Sequence, residues 1–329
     1  IDDKGPIIAS IFAAAKLLNA GFTPKKRLRF ILGCDEESGW KCMERYAKTE
    51  EMPASGFSPD ADFPVINCEK GIIHYKLSIP LPHGIINFKA GTRANVVPDL
   101  AIALVNPSLF PSSLATTNPQ ITSTPIDDMI QLTACGISAH ASTPQEGRNA
   151  LITILELLAK DSPLLAKIYT AFSSHDGSRC GLNFADEMSG NLTLNLATAD
   201  IENDILTFKL DIRYPVTHNK ETIQGILSNI SDNIQIDEED GHLPLYVPCD
   251  DPLVTTLLGS YNKIMNTNLK PCSIGGGTYA RFLKHGVAFG PSFPNSKSVV
   301  HQKDEYISLE DFSKIIDIYY DALSKLIFS

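Results

Sequence analysis

Clusters of acidic and histidine residues are the part of this sequence that could do chemistry. Four such clusters occupy residues 2–5, 35–39, 58–62 and 301–305. Each one alone is typical of a solvated turn or a helix cap. Together they offer the carboxylate and imidazole donors that zinc takes in proteins. In the second cluster, the adjacent Glu36 and Glu37 would let one carboxylate bind a metal ion while its neighbour accepts a proton.

The elements around these clusters predict an α/β fold. At the start of the chain, helical and strand patterns alternate at 6–19, 27–34, 40–49 and 63–68. After residue 245 the pattern returns, with helices at 253–266, 277–284 and 308–327 and a strand at 286–290. Such alternation indicates a mostly parallel sheet flanked by helices. Ligands of open sheets bind at the carboxyl ends of strands, beside which three of the clusters lie.

The middle of the chain follows a different pattern. Residues 71–80 alternate like a strand with one solvated face, and 191–215 form two alternating runs joined by a polar turn. These runs predict an antiparallel hairpin, and helices at 147–160 and 219–231 flank the strands. The Pro-, Ser- and Thr-rich stretch 106–125 is predicted to be a loop.

The change of pattern predicts two domains. An α+β domain at 73–245 is inserted between two parts of an α/β domain, at 1–72 and 246–329. A chain of 329 residues is long enough for both.

Composition excludes some classes of function. The net charge of −10 argues against a nucleic-acid partner, because phosphate binding needs surplus Lys and Arg. The sequence contains no apolar run of the length that a membrane-spanning helix needs, so no membrane partner is expected. The seven cysteines include no C-x-x-C pair, which favours buried, reduced thiols in a cytoplasmic protein.

Nine motifs, spread in order from the first residue to about residue 305, carry a family resemblance. The sequence resembles the dinuclear zinc aminoacylase/carboxypeptidase superfamily, and within it the PepV-type bacterial dipeptidases. The motifs are DDKGP, GCDEESGW, SPDADFPVI, GTRANVVPD, GISAHASTPQEGRNA, LDIRYP, IGGGTYARF, GVAFGP and the region of His301. The resemblance implies a zinc-peptidase catalytic domain with an inserted lid domain at 73–245.

The resemblance also implies a centre with two zinc ions, although Mn²⁺ or Co²⁺ would suit the same oxygen and nitrogen ligands. It makes Asp2 the carboxylate that bridges the two ions, and it implies a cis peptide between Asp2 and Asp3. Glu37 and Asp60 are implied as terminal ligands, one for each ion. His301 is implied as the imidazole ligand of the ion that Glu37 binds.

Further residues are implied to act on the substrate. Glu36 resembles the general base, and His140 resembles a donor that stabilises the oxyanion. Arg213 is the candidate for binding the substrate carboxylate, because a guanidinium suits bidentate contacts. The implied companions in substrate binding are Asn95, Gly276, Gly277 and Thr278. Ordinary alternatives stay open: a polar loop residue for His140, a surface position for Arg213 and a flexible turn for the glycines.

The implied function is a metal-dependent dipeptidase acting on Xaa-Xaa substrates, with the Xaa-His type among them. A deacylase of N-acyl amino acids would use the same metal centre. A peptide-binding protein without catalytic activity is a third reading. The large lid favours a monomer.

One family ligand has no counterpart here. The family places a further histidine, in an H-x-D motif, well before the bridging aspartate. None of the eight histidines of this chain stands in such a motif. We therefore expect the natural chain to have residues before Ile1 that include this ligand.

Overall fold

The computed structural model describes residues 2–114, 117–294, 296 and 303–328. The chain divides into two compact units. Unit 1 comprises Ile1–Glu69 and Leu245–Ser329, and unit 2 comprises Lys70–Pro244.

Among the described residues, the α-helices are α1 (Lys4–Asn19), α2 (Lys41–Thr49), α3 (Ala150–Leu158), α4 (Pro163–Phe172), α5 (Lys220–Leu227), α6 (Pro252–Met265) and α7 (Leu309–Leu326). The helices predicted at 6–19, 40–49, 253–266 and 308–327 are confirmed as α1, α2, α6 and α7. The short helix predicted at 277–284 is a 3-10 turn at Tyr279–Phe282. In the part of the chain that the structure covers, no helix has the length and apolar character needed to cross a bilayer.

The strands are β1 (Gly56–Ser58), β2 (Ala61–Asp62), β3 (Ile66–Glu69), β4 (Gly71–Pro80), β5 (Ile85–Ala90), β6 (Leu100–Val105), β7 (Ile121–Ile126), β8 (Met129–Cys135), β9 (Ala185–Asp186), β10 (Gly190–Asn191), β11 (Thr193–Glu202), β12 (Ile205–Tyr214), β13 (Gln235–His242), β14 (Leu245–Tyr246), β15 (Cys272–Ile274), β16 (Gly286–Ala288) and β17 (Pro291–Ser292). Helices and strands together form the α/β fold that the sequence predicts.

Unit 1 is held together by helices that pack on a small sheet. On α1, the buried Ala9, Ala13 and Leu17 recur every fourth residue, which gives one apolar face, and α1 packs against α7. Ser308 caps α7, because its hydroxyl oxygen accepts a hydrogen bond from the Asp311 N–H at 3.0 Å. In the core, the rings of Phe63 and Phe289 meet edge to face at 5.1 Å.

The sheet of unit 1 is mixed, whereas the sequence predicts a mostly parallel sheet. Strand β1 pairs in parallel with β16, and β15 pairs in parallel with β3. Strands β14 and β16 run antiparallel to β3. The β16 contact is one residue pair, Ala288 with Ile66, and β14 has two residues. Contacts this short carry no repeating pattern from which the direction of a strand can be inferred.

The prediction of a strand at 27–34 is wrong for the described structure. This segment is extended, but none of the described strands forms a ladder with it. Phe30 and Leu32 remain 40% and 62% exposed. A cavity of about 570 Å³ lies against residues 26–33. An apolar run becomes a strand only where a neighbour pairs with its backbone groups.

Unit 2 is built on an eight-stranded antiparallel sheet in the order β13-β4-β12-β11-β5-β6-β8-β7. Strands β11 and β12 form the predicted hairpin. The buried side chains of α3 and α4 join those of the strands in one core cluster. The loop predicted at 106–125 is only partly correct, because Ile121–Ile126 forms the edge strand β7. Pro125 is tolerated there because an edge strand leaves one side without ladder hydrogen bonds.

A partly buried ion-pair network crosses the three strands at one end of this sheet, β12, β4 and β13. Asp211, with no exposed surface, receives two hydrogen bonds from Arg213, at 2.6 and 2.7 Å. The His74 ring bonds Asp211 through Nε2 at 2.9 Å and Asp240 through Nδ1. Burial alone would lower the pKa of His74, but its two aspartate partners outweigh burial and raise that pKa to about 9. The ring is therefore held as an imidazolium near neutral pH.

This network predicts a pH-dependent stability. Because the folded-state pKa of His74 lies above its usual 6.5, the stabilisation is complete below pH 6.5 and is lost as the pH rises through about 9. We expect wild type to lose about 3 kcal/mol of unfolding free energy over this range relative to His74→Gln. Urea unfolding of both proteins at several pH values measures the difference. Parallel pH curves for the two proteins would contradict the assignment.

Candidate functional site

The predicted bridging residue Asp2 stands directly before α1. The Asp2–Asp3 peptide is cis, as the family resemblance implies. The Asp2 N–H donates to Glu305 Oε1 at 2.7 Å. This contact joins the beginning of α1 to the segment that follows the predicted ligand His301, which itself lies outside the described residues.

Glu36 and Glu37 lie on a single 3-10 turn at Glu36–Ser38, between the extended segment and α2. Trp40 fixes the end of this turn. Its backbone N–H donates to the Asp35 carbonyl at 3.2 Å, and its indole N–H donates to the Glu36 carbonyl at 2.5 Å. The indole is buried and packs edge to face on Tyr279, with ring centroids 5.9 Å apart. The two glutamates are therefore presented by a turn with a fixed backbone.

Asp60 lies between the short strands β1 and β2. The Ala61 N–H donates to the Gly290 carbonyl at 2.7 Å, and the Phe289 N–H donates to the Ser58 carbonyl at 2.9 Å. Gly290 has a φ of 71°, and a Cβ there would come within 2.4 Å of the Phe63 ring. Only glycine suits this position. The two hydrogen bonds to residues 289 and 290 hold both ends of the turn that carries Asp60.

The carboxylates of these three segments act on one another. Burial raises the pKa of Glu36 to about 7, and the charges of Glu37, Asp2 and Asp3 add to this effect. Burial also raises the pKa of Asp60, which is hydrogen-bonded to the Asp2 side chain. Two carboxyl groups share a hydrogen bond only if one of them carries a proton. Unit 1 thus brings Asp2, Glu36, Glu37 and Asp60 into one electrostatic cluster that a cation would stabilise.

The donor atoms of this cluster are spread more widely than those of a single-ion site. Among the described residues, the one group of three candidate ligands whose donor atoms lie within 4.8 Å of one another is Cys34, Asp35 and Cys42. Asp2, Glu37 and Asp60 do not form such a group. Terminal ligands of two different ions need not lie that close together, because each contacts only its own ion.

The IGGGTYARF motif surrounds an ion pair between Glu69 and Arg281 that the sequence analysis did not predict. Glu69 is fully buried and accepts a hydrogen bond from Arg281 Nε at 2.6 Å. Thr278 donates to the same carboxylate through its N–H at 3.2 Å and its hydroxyl at 2.8 Å. A Cβ on Gly277 would come within 2.7 Å of the Arg281 guanidinium. In this structure the motif encloses Arg281, whose Nη2 donates to the Gly276 carbonyl at 2.8 Å.

In unit 2, two predicted site residues lie on neighbouring loops. An isolated bridge pairs Val96 with His140, and the Ala141 N–H donates to the Asn95 carbonyl at 2.9 Å. The Ser142 N–H donates to His140 Nδ1 at 3.2 Å. Since Nδ1 accepts this bond, the hydrogen-bond pattern assigns the proton of a neutral ring to Nε2. His140 itself is an exposed residue.

Arg213 lies in β12 opposite Thr193 of β11, whose hydroxyl donates to the Ala141 carbonyl at 3.2 Å. The same sheet therefore supports both Arg213 and the loop of His140. The Arg213 side chain is only 5% exposed, and two of its nitrogen atoms are held by Asp211. Binding of a substrate carboxylate by Arg213 stays a prediction.

The seven cysteines all lie among the described residues and are free thiols. The prediction that they are buried is wrong for four, which are exposed: Cys34, Cys135, Cys249 and Cys272. The exposure of these four could not be predicted from the sequence, because free cysteine is among the most buried residue types.

Comparisons with known proteins agree with this architecture. The putative dipeptidase YtjP of Bacillus subtilis (strain 168) is 38% identical over 348 residues, which cover 99% of this chain and 75% of that protein. The putative dipeptidase SAR1836 of Staphylococcus aureus (strain MRSA252) is 37% identical over 353 residues, with the same coverage of both chains.

A solved structure shows the same fold at low sequence identity. The crystal structure of a tripeptidase (SAV1512) from Staphylococcus aureus matches with a TM-score of 0.57 and 12% identity, covering 99% of this chain and 70% of that one. The family model for peptidase family M20/M25/M40 matches residues 1–325. With the relatives above, this match confirms the resemblance drawn from the motifs: the chain belongs to peptidase family M20/M25/M40.

Proposed function

We propose that this peptidase is a metal-dependent dipeptidase in which Glu36 is the general base. The observation that carries the proposal is the contact between the half-buried Asp2 and Asp60 beside Glu36. Burial, together with the charges of the neighbouring acids, raises the pKa of both Asp60 and Glu36. A cluster of this kind is unfavourable in an apo protein and favourable around cations. The names of its relatives as putative dipeptidases support the substrate class.

The chemistry of the donors fits zinc ions. Asp2, Glu37 and Asp60 would hold them through oxygen, with His301 as the proposed imidazole ligand, and Mn²⁺ or Co²⁺ would suit the same donors. When bound, a pair of such ions would lower the pKa of a water molecule and polarise the substrate carbonyl.

Glu36 supplies the proton transfer. Its turn is fixed by Trp40, and its pKa near 7 lies close to that of an efficient base at neutral pH. Glu36 takes a proton from the attacking water and passes it to the amine that leaves when the peptide bond breaks. Neighbouring cations would lower this pKa and keep the carboxylate ready to accept.

Further residues are proposed to contact the substrate. His140 would donate from Nε2 to the developing oxyanion, and Arg213, fixed by Asp211, would bind the free carboxylate. Asn95, Gly276, Gly277 and Thr278 are proposed as companions, although the Thr278 donors are used by Glu69 in this structure.

The base assignment predicts that Glu36→Gln lowers kcat by about 10²–10⁴-fold. An amide cannot accept the proton but is similar in shape, so the bound metal should be retained. Steady-state kinetics on a dipeptide, together with metal analysis, test both expectations. Glu44→Gln, an exposed change on α2, is the matched control and should leave kcat unchanged. Turnover of Glu36→Gln at the wild-type rate would rule out this role.

The metal assignment predicts opposite effects of Asp60→Asn on the apo and metal-loaded proteins. In chelator-treated protein at neutral pH the variant should be more stable by about 1–3 kcal/mol, because Asp60 with its raised pKa must take up a proton on folding and the neutral amide need not. With zinc added it should gain less stability than wild type, because a ligand is lost. Thermal unfolding with and without zinc measures both. Equal zinc-induced shifts in Tm for the two proteins would contradict ligation by Asp60.

The substrate assignment predicts that a dipeptide such as Leu-Leu is cleaved faster than N-acetyl-leucine. Amidation of the dipeptide's C-terminus should lower kcat/KM by about 10–100-fold, because a hydrogen-bonded carboxylate contact of about 1.5–3 kcal/mol is lost. Liquid chromatography of the released amino acids measures all three rates. Preferential hydrolysis of N-acetyl-leucine would instead support a deacylase.

A further inference from the structure

Two thiols and a carboxylate meet at the base of the loop that carries the two glutamates. The donor atoms of Cys34, Asp35 and Cys42 all lie within 4.8 Å of one another. Cys34 is exposed, whereas Asp35 and Cys42 are half-buried. Cys34 and Cys42 thus lie near each other, and Cys34 is open to solvent.

The three donors are already oriented by the backbone. The Cys42 N–H donates to both carboxylate oxygens of Asp35, at 3.2 and 3.3 Å. The Cys34 N–H lies 3.4 Å from Cys42 Sγ. The Tyr279 hydroxyl lies 3.2 Å from the same sulfur and 3.5 Å from Asp35 Oδ1. These contacts hold the donors in place before any ion arrives, which lowers the entropy lost on binding.

The donor set selects a class of metal. Thiolate sulfur favours thiophilic d¹⁰ cations such as Zn²⁺ and Cd²⁺, and it disfavours Mg²⁺ and Ca²⁺, which take oxygen ligands. Three protein ligands leave the fourth tetrahedral position to water. Binding would release protons, because both thiols must be deprotonated.

We propose that Cys34, Asp35 and Cys42 form a separate binding site for one thiophilic divalent cation, distinct from the carboxylate cluster of the proposed dipeptidase centre. The proposal does not depend on the dipeptidase function, because none of the three residues belongs to that cluster.

The position of the site gives the ion a local consequence. Cys34 and Asp35 directly precede the 3-10 turn of Glu36 and Glu37, and Cys42 follows it in the first turn of α2. An ion bound to all three would join the two ends of this loop. The loop would then be closed by metal bonds in addition to its hydrogen bonds.

Cadmium titration of the full chain tests the site, with all thiols kept reduced by a phosphine. Cadmium bound to thiolate gives a charge-transfer absorption in the ultraviolet, whereas cadmium bound to carboxylate or imidazole does not. We expect wild type to show this band, saturating at one ion per chain. Cys34→Ser and Cys42→Ser should each weaken cadmium binding by more than about 10-fold. Loss of a residue that only hydrogen-bonds a metal ligand already lowers metal affinity by about 10–100-fold, and here a ligand itself is lost.

Cys135→Ser is the matched control, because Cys135 is also an exposed thiol but lies in unit 2. It should bind as wild type does. The proposal is overturned if wild type shows no thiolate band, if the band survives unchanged in Cys34→Ser, or if Cys135→Ser loses it equally. Circular dichroism checks the fold of each variant. Since Cys34 is exposed, Cys34→Ser keeps the test valid even if Cys42→Ser does not fold.

Discussion

Repulsion between half-buried carboxylates is the constraint on which the candidate site depends. Asp2 and Asp60 are in hydrogen-bond contact, and Glu36 lies in the field of both. Their segments come from three distant parts of the sequence, so the fold itself must hold them together against their charge. The contacts that hold these segments are the Asp2 N–H bond to Glu305, the indole bond of Trp40 and the strand pairing around Gly290.

The same protein shows how a buried acid behaves when it is fully compensated. Asp211 has no exposed surface, and burial alone would raise its pKa, yet Arg213 and His74 lower that pKa to about 2. Glu69 is buried in the same way and is bound by Arg281 and Thr278. In these two networks the protein supplies its own cation. In the Glu36 cluster, the described charges that raise the pKa of Glu36 are those of other acids, which is an arrangement that suits a cation.

Regular elements could be predicted well from the sequence, because their signals are local. The apolar repeat of α1, the Ser308 cap of α7 and the alternation of β11 and β12 are each contained in one short segment. The Ser162 cap and the Pro163 start of α4 are local signals of the same kind. The segment 27–34 could not be read correctly, because whether an apolar run becomes a strand depends on a partner elsewhere.

The sequence predicted which residues form the candidate site, but not which side chains they contact. Motifs give the identities of Asp2, Glu36 and Asp60, and the cis peptide at Asp2 agrees with them. They do not show that Glu69 occupies the donors of Thr278, because that carboxylate lies more than two hundred residues away in the chain. Cys34 and Cys42 were unremarkable in sequence for a related reason: their approach depends on the turn between them, which a count of thiols does not reveal.

Trp40 gives this protein an intrinsic optical reporter. It is the only tryptophan in the sequence, and its indole is bonded to the Glu36 carbonyl and enclosed by Tyr279 and Phe282. Fluorescence excited at the red edge of protein absorption therefore arises from one ring, located directly behind the loop of the two glutamates. Any rearrangement of that loop changes the polarity around the indole, so its emission follows the loop without an added label.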